Sequence, residues 1–261
     1  MPIQFYKYQG TGNDFVLFDN RSGQIDRTRY DWFNFICDRR FGIGADGVML
    51  LQEREGYDFE MLYFNADGLP GSMCGNGGRC MVQFAKRLGI DKAHYHFLAS
   101  DGDHDAIITG DEVSLHMRDV LSVELHKGQY ILNTGSPHVV LAVDDVMAVD
   151  VNRDGAQLRY DPLFAPGGTN VNYIHIQGET MHIRTYERGV EQETLSCGTG
   201  VTASALVSAL MQNLPFGTHE VPIRTMGGAL RVQFHYHADG SFTDIYLIGP
   251  GTFVFSGEIN A

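Results

Sequence analysis

Cys74-Gly75-Asn76-Gly77-Gly78-Arg79-Cys80 is the stretch on which the reading of this chain turns, because its opening returns 123 residues later as Cys197-Gly198-Thr199-Gly200. The same offset of 123 aligns three further segments without gaps. Gly12-Asn13-Asp14-Phe15-Val16 falls on Gly135-Ser136-Pro137-His138-Val139, and Ala45-Asp46-Gly47-Val48 falls on Gly168-Thr169-Asn170-Val171. Tyr63-Phe64-Asn65-Ala66-Asp67 falls on Tyr186-Glu187-Arg188-Gly189-Val190. Any one match is short enough for chance, but four at one offset indicate a duplicated chain. The halves run 1–119 and 120–248, and Cys74 and Cys197 are equivalent positions.

Working outward from the cysteines, residues 79–88 carry Val82, Ala85 and Leu88 at helical spacing and stop at Gly89, which suits a helix C-cap. Residues 201–211 are apolar on nearly all sides, broken only by Thr202, Ser204 and Ser208, so that helix must be buried all round. Short alternating strands are expected at 112–117, 173–176, 181–186 and 230–236, punctuated by Gly, Asp and Asn. Each half therefore reads as a curved, mostly antiparallel sheet around one central helix. The fold class is α+β with two pseudo-symmetric domains, and a cleft between them is the natural place for a ligand.

Composition narrows the partners. The chain has 261 residues with 43% hydrophobic content, enough for one large or two ordinary domains. A net charge of -13 with 19 basic residues argues against a broad contact with nucleic acid or anionic lipid. The opening residues Met1 to Lys7 lack the apolar run of a signal peptide, and no stretch of about 18 apolar residues is present to span a membrane. The expectation is a cytoplasmic protein whose partner is a small molecule. Four cysteines, Cys37, Cys74, Cys80 and Cys197, are too few and too scattered for a disulfide framework in a chain of this size.

Cys-Gly-x-Gly at the start of a helix has a definite chemistry. Glycines let the chain turn tightly and let a ligand approach the backbone, while the first-turn N–H groups and the helix dipole make a site for a carboxylate. The same place lowers a thiol's pKa from about 8.5 towards neutrality, so that it can both give and take a proton. Two such sites facing each other form a two-base device. A lone buried cysteine is ordinarily a small apolar core residue, and Cys37 and Cys80 fit that description; the repeated, glycine-flanked pair does not.

The motif at 74–80, together with Glu187-Arg188-Gly189-Val190 and Glu193-Thr194-Leu195-Ser196-Cys197-Gly198-Thr199-Gly200, resembles the two signatures of diaminopimelate epimerases. Gly12-Asn13-Asp14-Phe15, Gly42-Ile43-Gly44-Ala45-Asp46-Gly47, Phe64-Asn65-Ala66-Asp67-Gly68, Ser136-Pro137-His138 and Asn170-Val171 follow in the family's order. The resemblance implies conversion of LL-diaminopimelate to the meso form without a cofactor, for lysine and peptidoglycan precursors. It implies Cys74 and Cys197 as the proton-transferring pair, with Gly75-Asn76 and Gly198-Thr199 holding the reacting carboxylate. Asn13, Asn65, Asn170, Glu187 and Arg188 would bind substrate, much of it at the distal amino-acid end, and 249–261 would return to the first domain. His138 and Glu187 are placed to tune the pair. Two departures stand out: Ser136 replaces the family's usual Asn before Pro-His, and one extra residue lies between Val190 and Thr194.

Other readings compete at particular residues. Gly42-Ile43-Gly44-Ala45-Asp46-Gly47 matches a dinucleotide fingerprint, but a helix at 31–40 with an Asp cap precedes it and a strand at 48–51 follows, the reverse of the required order. A turn is the better reading. The pairs His94/His96 and His235/His237 lie on one strand face each, yet no third ligand converges, so no metal site is assigned. The acidic run 101–105, with Ser100 and His104, lacks a calcium-loop pattern and reads as an exposed turn. A cysteine hydrolase using Cys197 and His138 would leave Cys74 without a role. A related cofactor-independent racemase, such as the proline type, would lack Glu187-Arg188, and a binding module without turnover would keep only the cleft. The sequence leaves a homodimer possible.

Overall fold

The structure is a computed structural model and describes residues 2–260. It divides into two compact units, one built from residues up to Leu115 together with the segment from Gly249 onward, the other from His116–Ile248. The first contains β1 (Pro2–Gly10), β2 (Asn13–Asp19), α1 (Tyr30–Cys37), β3 (Gly47–Gln52), β4 (Phe59–Asn65) and α2 (Gly75–Arg87). It continues through β5 (His94–Ala99), β6 (Gly102–Thr109) and β7 (Glu112–His116). The second contains β8 (Glu124–His126), β9 (Gln129–Asn133), β10 (Pro137–Ala142), α3 (Val151–Arg159), β11 (Asn170–Gln177), β12 (Thr180–Glu187) and β13 (Gln192–Thr194). There follow α4 (Gly198–Met211), β14 (Gly217–Thr225), β15 (Gly228–Tyr236) and β16 (Phe242–Pro250). The last strand, β17 (Thr252–Asn260), lies antiparallel to β1.

Each unit is a sheet folded round one helix: α2 packs on β1, β2, β3, β4, β6 and β17, and α4 on β9, β10, β11, β12, β14 and β15. The α+β architecture follows from burial. In α4 Val201, Ala203, Ala205, Leu206, Val207 and Ala209 are all buried, each large apolar side chain contributing about 1.5–3 kcal/mol. Two hydroxyls survive that environment by bonding back to their own helix, Thr202 Oγ1 to Gly198 O at 3.0 Å and Ser208 Oγ to Ala205 O at 2.7 Å. Both central helices end in the same way. Gly89 (φ +90°) and Asn213 (φ +52°) take the left-handed conformation, and the following N–H groups reach back, Ile90 to Ala85 O and Leu214 to Ala209 O, each at 3.0 Å.

The duplication is visible in register. Parallel β2 and β3 pair Phe15 with Gly47, and parallel β10 and β11 pair His138 with Asn170, which preserves the offset of 123. One segment is corrected. Phe64 faces Val48 whereas Tyr186 faces Val171, so Glu187 answers Asn65 and the offset there is one less; the extra residue before Thr194 makes up the difference. Two local expectations also change. Asp31 is not the cap of α1: Arg29 holds that position without a side-chain hydrogen bond, and Asp31 sits in the first turn, where its charge faces the helix dipole. Residues 102–105 belong to strand β6, because a tight turn returns the chain against β5 with Leu98 facing Asp103.

Among the described residues, no helix is long and apolar enough to cross a membrane.

Candidate active site

Cys74 is the N-cap of α2, with φ −114° and ψ 122°, and its carbonyl accepts the Gly78 N–H at 2.7 Å to close the first turn. The glycines after it answer to close packing. A Cβ on Gly77 would strike the terminal methyl of Met49, and one on Gly78 would lie 2.7 Å from Cε of Met73. The Cys74 sulfur lies 3.5 Å from Asn13 Oδ1, which also accepts from Asn76 Nδ2 at 3.4 Å. Asn13 is itself held, its Nδ2 donating to Asp46 Oδ2 at 2.6 Å.

Behind Asp46 stands a charged cluster. Arg39 bridges Asp14 at 2.6 Å and Asp46 at 2.7 Å, and the buried Lys7 ammonium reaches Asp14 and the Gly44 carbonyl. Burial works against the Asp14 carboxylate, but hydrogen bonds from Arg39 and Lys7 outweigh it and hold the group down at about 2. The turn at 42–47 therefore carries the acid that orients Asn13.

Arg79, one helical turn along α2, is fully buried. Its guanidinium donates to Pro250 O (3.3 Å), Gly75 O (3.2 Å), Thr11 Oγ1 (3.4 Å) and Asn76 Oδ1 (3.0 Å). Burial pushes its pKa down, opposed by the neighbouring Cys80 and Cys74. Cys37 and Cys80 are buried too, and burial pushes both thiols up to about 12, so neither is a ready thiolate.

The second unit repeats the cysteine geometry. Cys197 is the N-cap of α4 with φ −112° and ψ 110°, and its carbonyl accepts the Val201 N–H at 2.8 Å. Its sulfur lies 3.5 Å from Thr199 Oγ1, which is also 3.0 Å from Nε2 of the fully buried His138. Thr134 Oγ1 donates to the Thr199 carbonyl at 2.9 Å. Burial, with a smaller contribution from the Arg188 charge, lowers the His138 pKa to about 3, so the imidazole is neutral at ordinary pH. None of the four cysteines is in a disulfide.

The remaining candidates form their own groups. Asn170 commits both amide hydrogens, to Ser136 Oγ at 2.8 Å and Pro137 O at 2.9 Å, and its Oδ1 accepts the Arg188 N–H at 2.9 Å. It thus braces Arg188, whose side chain is exposed with Nη1 3.5 Å from Gly167 O. Glu187 Oε2 accepts from Thr194 Oγ1 at 2.9 Å. Asn65 lies outside the Cys74 network, exposed at the end of β4, where the Gly68 N–H bonds its carbonyl. Sequence reading missed Asp46, Arg39 and Asn172 as supports; Asp46 lies within a motif read only as a turn, Arg39 just ahead of it, and Asn172 carried no signal. His235 and His237 have ring centroids 4.5 Å apart, and no group of three metal-ligating side chains converges among the described residues.

Solved structures share this fold. A phenazine biosynthesis protein of the PhzF family from Bacillus anthracis superposes with a TM-score of 0.78 at 14% identity, over 100% of both chains. A hydroxyproline epimerase from Agrobacterium vitis gives 0.69 at 14% identity, over 99% of this chain and 92% of its own. The class is therefore the α+β fold that phenazine-pathway proteins share with amino-acid epimerases. Within it the sequence matches the diaminopimelate epimerase model over residues 5–121 and 130–254. A diaminopimelate epimerase of Flavobacterium psychrophilum is 46% identical over 98% of this chain and 100% of its own, and one of Chlorobaculum tepidum 42% over 96% and 98%. The chain belongs to the diaminopimelate epimerase family, a family of isomerases.

Proposed function

We propose that the chain interconverts LL- and meso-diaminopimelate by a two-base proton transfer between Cys74 and Cys197, without a cofactor, in lysine and peptidoglycan precursor biosynthesis in the cytoplasm. The observation that carries this reading is the matched pair of N-cap cysteines, each opening a buried helix with nearly the same backbone angles. The substrate carboxylate takes the first-turn amides, which in any α-helix lack intrahelical acceptors. Loss of one well-placed donor of this kind costs other enzymes about 2.7–4 kcal/mol, so two helix termini aimed at one developing charge lower the barrier substantially. One thiolate takes the α-proton, and the opposite thiol delivers its own to the other face. The α-carbon is inverted, and the enzyme is left with the two protonation states exchanged.

A cysteine hydrolase fits poorly. Both ring nitrogens of His138 are engaged, by Asn172 and Thr199, and a pKa of about 3 makes it too weak a base to activate a thiol. The test is incubation with LL- or meso-diaminopimelate in heavy water under reducing conditions, following α-hydrogen exchange by NMR. Exchange that survives exhaustive chelation supports the proposal; its absence with both isomers rejects it.

A further inference from the structure

Asn172 lies on β11, fully buried, and nothing in the repeat or the motifs singles it out. Its Nδ2 is 3.0 Å from the Val139 carbonyl and 3.1 Å from His138 Nδ1, and its Oδ1 is 3.0 Å from Thr185 Oγ1. The Val139 carbonyl can only accept, which fixes which end of the amide is nitrogen. The second hydrogen of that nitrogen then points at His138 Nδ1, which must accept it. A neutral imidazole accepting at Nδ1 carries its proton on Nε2, and Nε2 faces Thr199 Oγ1 at 3.0 Å. The Thr199 oxygen is thereby an acceptor towards His138, and its own hydrogen is left for the Cys197 sulfur at 3.5 Å.

We infer that Asn172 is a positioning residue which, through the tautomer of His138, turns the Thr199 hydroxyl into a hydrogen-bond donor to Cys197 and so favours its thiolate. The inference rests on the proposed epimerase reading and adds a residue to it. Burial keeps the His138 ring neutral, and Arg188, the charged group that bears on it, adds a smaller contribution in the same direction, which preserves the single tautomer.

The duplication supplies an independent argument. At the positions equivalent to His138 and Asn172 the first unit has Phe15 and Met49. A Cβ on Gly77 would meet the Met49 methyl, whereas one on Gly200 would strike Asn172 Oδ1 and lie 3.3 Å from His138 Cε1. The same space under the same turn is apolar in one half and a directed polar chain in the other. Packing alone is satisfied by the apolar version, so the polar one is built for what it does at Cys197.

The experiment reads the tautomer directly. In the wild-type protein without substrate, 15N NMR of labelled histidine should show His138 protonated at Nε2 and bare at Nδ1 near neutral pH. Asn172→Asp presents an acceptor to Nδ1, so the proton should move there and Cys197 alkylation by iodoacetamide, read by peptide mapping, should slow about tenfold or more. Turnover should fall similarly in kcat with less change in KM. In Asn172→Asp combined with Thr199→Val the two effects should not add, since the hydroxyl through which Asn172 acts is gone. Wild-type His138 protonated at Nδ1, or additive losses, overturns the inference. The wild-type spectrum needs neither a variant that folds nor a substrate, so this failure is distinct from a failure of α-hydrogen exchange.

Discussion

Asp46 holds the amide nitrogen of Asn13 at 2.6 Å, and because a carboxylate only accepts, Asn13 must turn its oxygen towards the Cys74 sulfur. Asp46→Asn can donate as well as accept and releases that constraint. The change should lower kcat/KM for diaminopimelate roughly tenfold, the loss expected for one charge-assisted hydrogen bond. Kinetics indistinguishable from wild type would show that Asn13 is oriented by something else.

The matched caps predict a sharp division among the thiols. Cys74→Ala and Cys197→Ala should each abolish epimerisation in the heavy-water exchange assay. Cys37→Ala, at a buried position whose thiol is pushed up to about 12, should keep turnover and lose about 1 kcal/mol of stability. Full activity in either of the first two variants would sink the two-base mechanism.

Arg188 presents an exposed guanidinium from a backbone braced by Asn170. A planar fork grips a carboxylate through two parallel bonds, which an ammonium cannot reproduce. Arg188→Lys should therefore reduce kcat/KM about tenfold or more despite the conserved charge, and lysine, which lacks the distal carboxylate, should be a very poor substrate. Comparable kcat/KM for lysine and diaminopimelate points instead to a general racemase.

His138 and Asp14 both contribute to the acid limb of stability. His138 falls from its ordinary 6.5 to about 3 on folding, so the unfolded chain binds the extra proton between those values and stability drains as pH falls through that window. Asp14 falls from 3.8 to about 2; its contribution is complete above the unfolded value and disappears as pH drops towards 2. Urea midpoints measured from pH of about 7 to about 3 should decline for the wild type and decline less for His138→Asn. An unchanged slope in that variant would remove His138 from the account.

Arg79 is a buried cation held by four oxygens of β1's end, α2 and Pro250. Arg79→Met should cost about 2–4 kcal/mol, because it strands those acceptors away from water. Thermal or urea denaturation that shows less than about 0.5 kcal/mol would mean water replaces the guanidinium.

The helix after each cysteine and the α+β class were legible in the sequence because they depend on short-range rules: glycine at a cap, an apolar run too continuous to leave exposed, a cysteine motif that recurs. The family was legible for the same reason, since its signatures are contiguous. What sequence did not show is direction. Asn13, Asn170 and Asn172 are the same residue type, yet one points an oxygen at a thiol, one braces Arg188 and one sets a histidine tautomer, each by partners 18 to 34 residues away. The one-residue shift that sets Glu187 against Asn65, and the apolar Phe15 and Met49 where the other half has His138 and Asn172, emerge only once strands pair. A hydrogen bond has a donor and an acceptor end, and which end a buried amide presents is decided by neighbours that only the tertiary fold brings within 3 Å.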